Sequence, residues 1–163
     1  VEILRPHRPA GSLPPLMSFP GPENGLPKGD IPAAISGDPL AIEAARALAE
    51  QLGFTPFEVG GDRAAYHAAA VIAGNFSTTL LIEAGRILSA CGLSELEARR
   101  LLAPLALTSI KNTIETGPDA LTGPVARGDN DVIAAHEKAL AEIDPKLVEL
   151  YRAMTKATRA LKS

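Results

Sequence analysis

The chain has 163 residues, 46% of them hydrophobic, 21% charged and 4% aromatic, with a formal net charge of −3. That suits one ordinary domain or two small ones with a real core, and it excludes a disordered chain. Mild acidity without a dense Lys/Arg cluster argues against nucleic-acid binding. The one basic stretch, from Lys146 to Lys162, carries its charges at helical spacing and reads as a solvated face.

The single cysteine, Cys91, cannot form an internal disulfide and fits a reducing compartment. The opening VEILRPHRPAG is not a secretory signal, and a start at Val1 leads us to expect further sequence upstream. Ala64 to Ile82 lacks a formal charge, but alanine dominates it and His67, Asn75, Ser77, Thr78 and Thr79 interrupt it. It reads as the buried central helix of a soluble, cytoplasmic protein with no membrane partner.

Ten of the fourteen prolines fall in residues 1–56, and residues 5–32 read as extended chain and loop with at most a short strand at Leu16–Phe19. Ile31–Ser36 is an apolar run expected to be a buried strand. Asp38 and Pro39 then start a helix as N-cap and first helical residue. Its apolar positions Leu40, Ala44, Ala47, Leu48 and Leu52 recur at three- and four-residue steps, and Gly53 ends it. Thr55–Val59 is a second strand, followed by a break at Gly60-Gly61. Strand, helix, strand predicts a βαβ unit of a parallel sheet, too small to stand alone and completed by upstream residues or another chain.

Beyond Arg63 the pattern is all helix. A first helix is expected over 62–90, and a second opens on the capping box Ser94–Glu97 and runs to Glu115 with a kink or break at Pro104. A loop with at most one helical turn covers residues 116–128. Asp129 caps a third helix to Ile143, and Asp144-Pro145 starts a fourth to Leu161.

At ~100° per residue, His67, Val71, Gly74, Asn75 and Thr78 share one stripe of the first helix. One account is that His67 and Asn75 are satisfied by backbone or neighbouring helices. The other is that they face a cleft. There Gly74 admits a ligand to the backbone, His67 exchanges protons near neutral pH, and Asn75 orients a carbonyl or amide. Tyr66 points about a quarter-turn away and reads as a packing residue.

The loop Leu121 to Asp129 holds Thr122 and Arg127 beside a helix N-terminus. It is either an anion site or a plain helix connection with Asp129 as cap. Lys111 and Asn112 either line the same cleft or only balance a helix end. His7 and His136 have no ligand-spaced partners, so no metal site is expected. No G-x-G-x-x-G turn for a dinucleotide diphosphate occurs in the chain.

The runs GSLPPLMSF (11–19), AISGDPLAIEAARALAEQLGFTPFEV (34–59), YHAAAVIAGNF (66–76) and LTGPVARGD (121–129) resemble the C-terminal two-thirds of one oxidoreductase family. Its members pair an N-terminal Rossmann NAD(P)-binding domain with a helical C-terminal domain of unknown function. They are distantly similar to pyrroline-5-carboxylate reductase, ketopantoate reductase and the β-hydroxyacid dehydrogenases.

The resemblance implies an α/β fold followed by all-α: a terminal βαβ of a Rossmann-type parallel sheet, then a helical dimerisation domain like the C-terminal domain of 6-phosphogluconate dehydrogenase. Residues 1–61 would be the Rossmann remnant and residues 62–163 the substrate and dimerisation domain, with the active cleft between them. It further implies NADP or NAD as cofactor, a small carboxylate- or imine-bearing substrate and a homodimer through the helical part.

Asn75 matches a substrate-contacting position of such relatives. Val71 stands where the β-hydroxyacid dehydrogenases carry a catalytic lysine, which leaves His67 as the acid–base candidate. Gly74, Thr78, Lys111, Asn112, Thr122 and Arg127 are candidate substrate contacts. Ser12 and Pro15 are candidate cofactor contacts, although Pro14-Pro15 replaces the family's usual His-Pro. The alternative is a non-catalytic dimeric or ligand-sensing module that keeps the fold without the chemistry.

Overall fold

The computed structural model describes residues 6–19, 21, 23 and 29–162, in two compact units that meet in the sequence at Phe76 and Ser77. Part of the 5–32 segment expected as loop (5, 20, 22 and 24–28) lies outside the described residues.

The first unit is built on a three-stranded sheet in the order β1 (Gly11–Ser12), β2 (Ile31–Gly37), β3 (Phe54–Glu58). β2 and β3 are parallel, with Ile31 opposite Phe54 and Ile35 opposite Glu58, and α1 (Pro39–Gln51) connects them. This is the expected βαβ unit. β1 runs antiparallel to β2, pairing Gly11 with Gly37 and Ser12 with Ser36. The strand expected at Leu16–Phe19 is not formed. The chain meets β2 earlier, through a bridge between Pro15 and Ala33 and a 2.7 Å bond from the Leu16 N–H to the Pro32 carbonyl. Proline lacks an N–H to continue a ladder, so pairing there stays short.

Gly37 makes the β1 contact possible. Its φ is 148°, and a Cβ there would lie 2.4 Å from the Ala10 carbonyl oxygen.

The leucine stripe expected to bury α1 points outward instead: Leu40, Leu48 and Leu52 are 67%, 49% and 56% exposed. The inward face is alanine-rich, with Ala49 fully buried and Ala41 so close to β1 that a Cβ on Gly11 would come within 2.8 Å of it. Small side chains let the helix backbone approach the sheet, which leaves the leucines on the far side. The core of this unit is Ala10, Ile31, Ala33, Ala34, Ile35 and Ala49.

After β3 the chain enters α2 (Arg63–Val71), which Asp62 caps by accepting from the Ala64 N–H at 2.8 Å. α2 passes into a π-helical turn, Ile72–Phe76. A π turn holds an extra residue, so a stripe counted on an uninterrupted α-helix from His67 to Thr78 does not survive it.

The second unit holds α3 (Ser77–Ser89), α4 (Glu95–Thr116), a 3₁₀ turn (Gly117–Ala120), α5 (Gly123–Arg127), α6 (Asn130–Ile143) and α7 (Pro145–Ala160). The caps fall where the residue types predict. Ser94 and Glu97 form the reciprocal capping box of α4, Asp129 accepts from Val132 N–H at 3.3 Å, and Asp144 accepts from Lys146 N–H at 2.9 Å. Pro104 does not break α4, which runs through it as one 22-residue helix. α3 packs closely on α4: a Cβ on Gly85 would lie 2.5 Å from Arg99 Cγ. Leu140, Leu147 and Val148 form the core, with Ile87 and Tyr151 packed against them.

The stretch from Arg63 to Ser89 is long and apolar enough, by length and composition, to cross a membrane. The expectation that it is buried is not met within this chain, where Gly85 is its one buried residue. Its apolar side chains Ile72, Phe76 and Ile82 are 59%, 55% and 46% exposed.

Candidate functional site

In a sheet with parallel strands, ligands are held beyond the carboxyl ends of those strands, where the chain leaves the sheet and backbone and side chains become available. In the first unit that edge is formed by the ends of β2 and β3 and the first turn of α2. β2 presents Ser36 there, β1 presents Ser12 opposite it, and α2 brings in Arg63.

The two serine hydroxyls lie 3.0 Å apart, and Arg63 Nη1 donates to both, at 2.9 Å each. A cavity of about 10 Å³, enough for a single water, is lined by Ser12, Pro14, Ser36, Val59, Arg63 and Tyr66. Tyr66 is half-buried against Phe57, the ring centroids 6.4 Å apart, as expected of a packing residue.

His67 follows Arg63 by four residues, so the two share a face of α2 one turn apart. His67 is exposed, as are Gly74 and Asn75 in the π turn. The expectation that these polar groups sit on a buried helix is therefore corrected: within this chain none is desolvated, and burial does not compel a partner for them. A Cβ on Gly74 would meet open space. Among the described residues, none comes within 4 Å of that Cβ to require glycine there. Pro15 reaches the site only through its bridge to Ala33 in the middle of β2.

The remaining sequence candidates belong to the second unit. Thr78 is exposed in the first turn of α3. Lys111 and Asn112 are exposed on α4, where the Asn112 carbonyl accepts from Thr116 Oγ1 at 3.0 Å. Thr122 precedes α5 without capping it, and Arg127 ends that helix, exposed and without an ion pair among the described residues. No hydrogen bond or ion pair among the described residues joins Lys111 or Asn112 to Thr122 or Arg127.

A second cavity, about 440 Å³, is elsewhere in the second unit, between α6 and α7, and is lined by Asn130, Ile133, Glu137, Arg152, Thr155, Lys156 and Arg159 among others. Two of its cations are held within it: Arg152 Nε donates to Glu137 at 2.9 Å and Arg159 to Asn130 at 2.6 Å. The Arg152 hydrogen bond holds the Glu137 carboxyl below the usual carboxylate range. Among the described residues there is no group of three or more His, Cys, Asp or Glu that could hold a metal ion.

Sequence reasoning picked Ser12 and His67 but missed Ser36 and Arg63. The signal was present. Ser36 closes the first strong strand, and Arg63 is the first basic residue after the second strand and its Gly-Gly break. Both positions are carboxyl-end positions by the strand assignment alone.

The profile of a domain of unknown function, DUF2520, matches residues 31–158. Among solved structures, the chain is similar to a Bacteroides fragilis protein, BF3122, whose name proposes an NADP oxidoreductase. They share 24% identity and a TM-score of 0.81, over 98% of this chain and 61% of that one. It is also similar to protein TM1727 from Thermotoga maritima, at 30% identity and a TM-score of 0.74, over 93% of this chain and 61% of that one. The chain thus spans about three fifths of both. No curated protein matches it. The fold is the expected one, an α/β, Rossmann-like start followed by helices.

Proposed function

The chain belongs to the DUF2520 family, and on that premise we propose that it is the C-terminal portion of an NAD(P)-dependent oxidoreductase acting on a small carboxylate- or imine-bearing metabolite. In this reading residues 1–61 end a Rossmann domain and residues 62–163 form the substrate and dimerisation domain. The protein works as a cytoplasmic homodimer, and kinship to pyrroline-5-carboxylate reductase, ketopantoate reductase and the β-hydroxyacid dehydrogenases belongs to the same proposal.

The observation that carries the reading is the parallel β2–α1–β3 unit with Ser12, Ser36 and Arg63 gathered at its carboxyl edge. An oxidoreductase of this fold places its reacting groups at that edge. His67 then exchanges the proton that accompanies hydride transfer, and Asn75 orients the substrate. Gly74, Thr78, Lys111, Asn112, Thr122 and Arg127 are the further substrate contacts of this proposal, and Ser12 and Pro15 are the cofactor contacts.

The residues present fit only one end of a dinucleotide. The hydroxyls of Ser12 and Ser36 can meet a polar head group, but the chain contains no glycine-rich turn for a diphosphate. The diphosphate would be held by sequence outside these 163 residues.

The test is turnover. The complete gene product is assayed for NADPH oxidation against a panel of small 2-oxo acids and cyclic imines, alongside His67→Ala and Asn75→Ala. The reading expects both variants to keep the wild-type fold and lose about 100-fold or more in kcat/KM, the scale of a lost acid–base or orienting group. Unchanged turnover in both variants would remove His67 and Asn75 from the site.

A further inference from the structure

Arg63 and Arg159 differ from the other buttressed arginines of the chain, Arg159 being held by the Asn130 amide oxygen. Arg8, Arg46, Arg86, Arg99 and Arg152 each pair with a carboxylate. Arg63 is held by two neutral hydroxyls, and among the described residues no carboxylate pairs with it. Its Nη1 has two hydrogens and makes two bonds, to Ser12 and Ser36. A guanidinium carries five N–H donors in a rigid fork, so Nε and Nη2 remain. Neither has a hydrogen-bond partner among the described residues. The group is thus fixed in direction by one nitrogen, fully charged, and open along the edge that matches the two oxygens of a carboxylate.

We propose that the Nε–Nη2 edge of Arg63 is the anchor for the carboxylate of the substrate, with Ser12 and Ser36 as positioning residues that aim it. The proposal rests on the reading of a small carboxylate-bearing substrate and deepens it. The adjoining cavity, at about 10 Å³, is too small for a carboxylate. The anion therefore docks on the exposed edge of the guanidinium, on the face of α2 that also carries His67 one turn along. An anchored carboxylate there leaves the neighbouring carbon of a small substrate within reach of the imidazole.

The test is a titration of the complete gene product followed through the Arg63 Nε–Hε resonance. The probes are acetate, its neutral isostere acetamide, and inorganic phosphate. We expect acetate to move the resonance saturably and acetamide to leave it in place. Arg63→Lys, which keeps the charge but not the fork, is expected to weaken acetate binding about tenfold, read on neighbouring amides. Ser36→Ala, which frees one Nη1 hydrogen without touching the charge, should give a smaller loss and covers the case in which Arg63→Lys does not fold.

Three results would overturn the anchor: acetate and acetamide acting alike, phosphate alone moving the resonance, or acetate affinity unchanged in the folded variants. NADPH titrated into the same samples reads the cofactor separately. An intact acetate response without NADPH binding counts against the oxidoreductase reading and supports the anchor. The reverse pattern overturns the anchor and leaves that reading standing.

Discussion

Asp38 occupies the N-cap position of α1, yet its carboxylate accepts from the backbone N–H of Ala10 at 3.0 Å instead of from the helix. The other carboxylate oxygen accepts from Arg8 at 3.3 Å. Pro39 offers no N–H in the first turn, and the Asp38 main-chain carbonyl still opens the helix by accepting from Ile42 at 2.9 Å. The side chain is thereby released to tie the segment before β1 to the end of β2.

Asp38→Ser separates these two roles. Serine is a good helix cap but too short to reach Ala10. Asp38→Ser and Asp38→Ala should both lose about 1–2 kcal/mol in urea unfolding, because each leaves the Ala10 N–H unmet. A serine variant as stable as wild type would show that capping, and not the cross-link, is what Asp38 supplies.

Ser94 and Glu97 satisfy each other's backbone groups at the start of α4. The Glu97 carboxylate accepts from the Ser94 hydroxyl and from the Ser94 N–H, and both bonds hold its carboxyl below the usual range. Ser94→Ala should cost about 1 kcal/mol, the ordinary cost of a lost cap. Amide exchange in the first turn of α4 should rise more than elsewhere, and uniform exchange changes would contradict the local account.

Asp144 both caps α7, through the Lys146 N–H, and accepts from the Arg86 guanidinium of α3. The backbone bond and then the arginine hold its carboxyl below the usual range. Asp144→Asn retains an N-cap side chain and loses the ion pair, whereas Asp144→Ala loses both. Thermal melts should therefore rank wild type above Asp144→Asn above Asp144→Ala.

The pH dependence follows from the same groups. Glu97, Glu137 and Asp144 bind protons less readily in the folded chain than in the unfolded one. Their stabilisation is fully present above the ordinary carboxylate range, about pH 4, and is lost as pH falls through their lower folded values. Stability should be flat from pH 7 to about 5 and fall below about 4. The triple amide variant should flatten that fall, and an unaltered acid limb would assign it to other groups.

The sequence made the elements legible where a residue type has one local use. Ser94 with Glu97 opened α4 and Asp144-Pro145 opened α7, because caps are decided within a few residues; Asp38-Pro39 marked the start of α1, but not that the Asp38 side chain leaves the helix for Ala10. The inward face of α1 was not legible. Leucines and alanines both recur at helical spacing there, and only the close approach to β1, set by Gly11 and Gly37, selects the alanines. The π turn was hidden for a similar reason, since one extra residue leaves no mark in an alanine-rich helix. Arg63 escaped because its bonds to Ser12 and Ser36 join residues 51 and 27 positions away.

α4 leaves apolar side chains exposed on two roughly opposite faces, Leu101 with Leu105 and Leu107 with Ile114, each more than 60% exposed. Surfaces of that kind mark interaction sites, and the proposed homodimer would cover at least one of them. Sedimentation should give a dimer for the complete gene product, and Leu105→Glu with Ile114→Glu should give a folded monomer. A wild-type monomer, or a dimer indifferent to both charges, would place the contact elsewhere.

The proposed function makes this chain part of a dinucleotide enzyme. The direct measurement is a titration of NADPH, then NADH, into the complete gene product, followed by nicotinamide fluorescence; this chain contributes no tryptophan signal. The account predicts saturable binding of at least one of the two. Absence of binding by a folded, complete protein would contradict it.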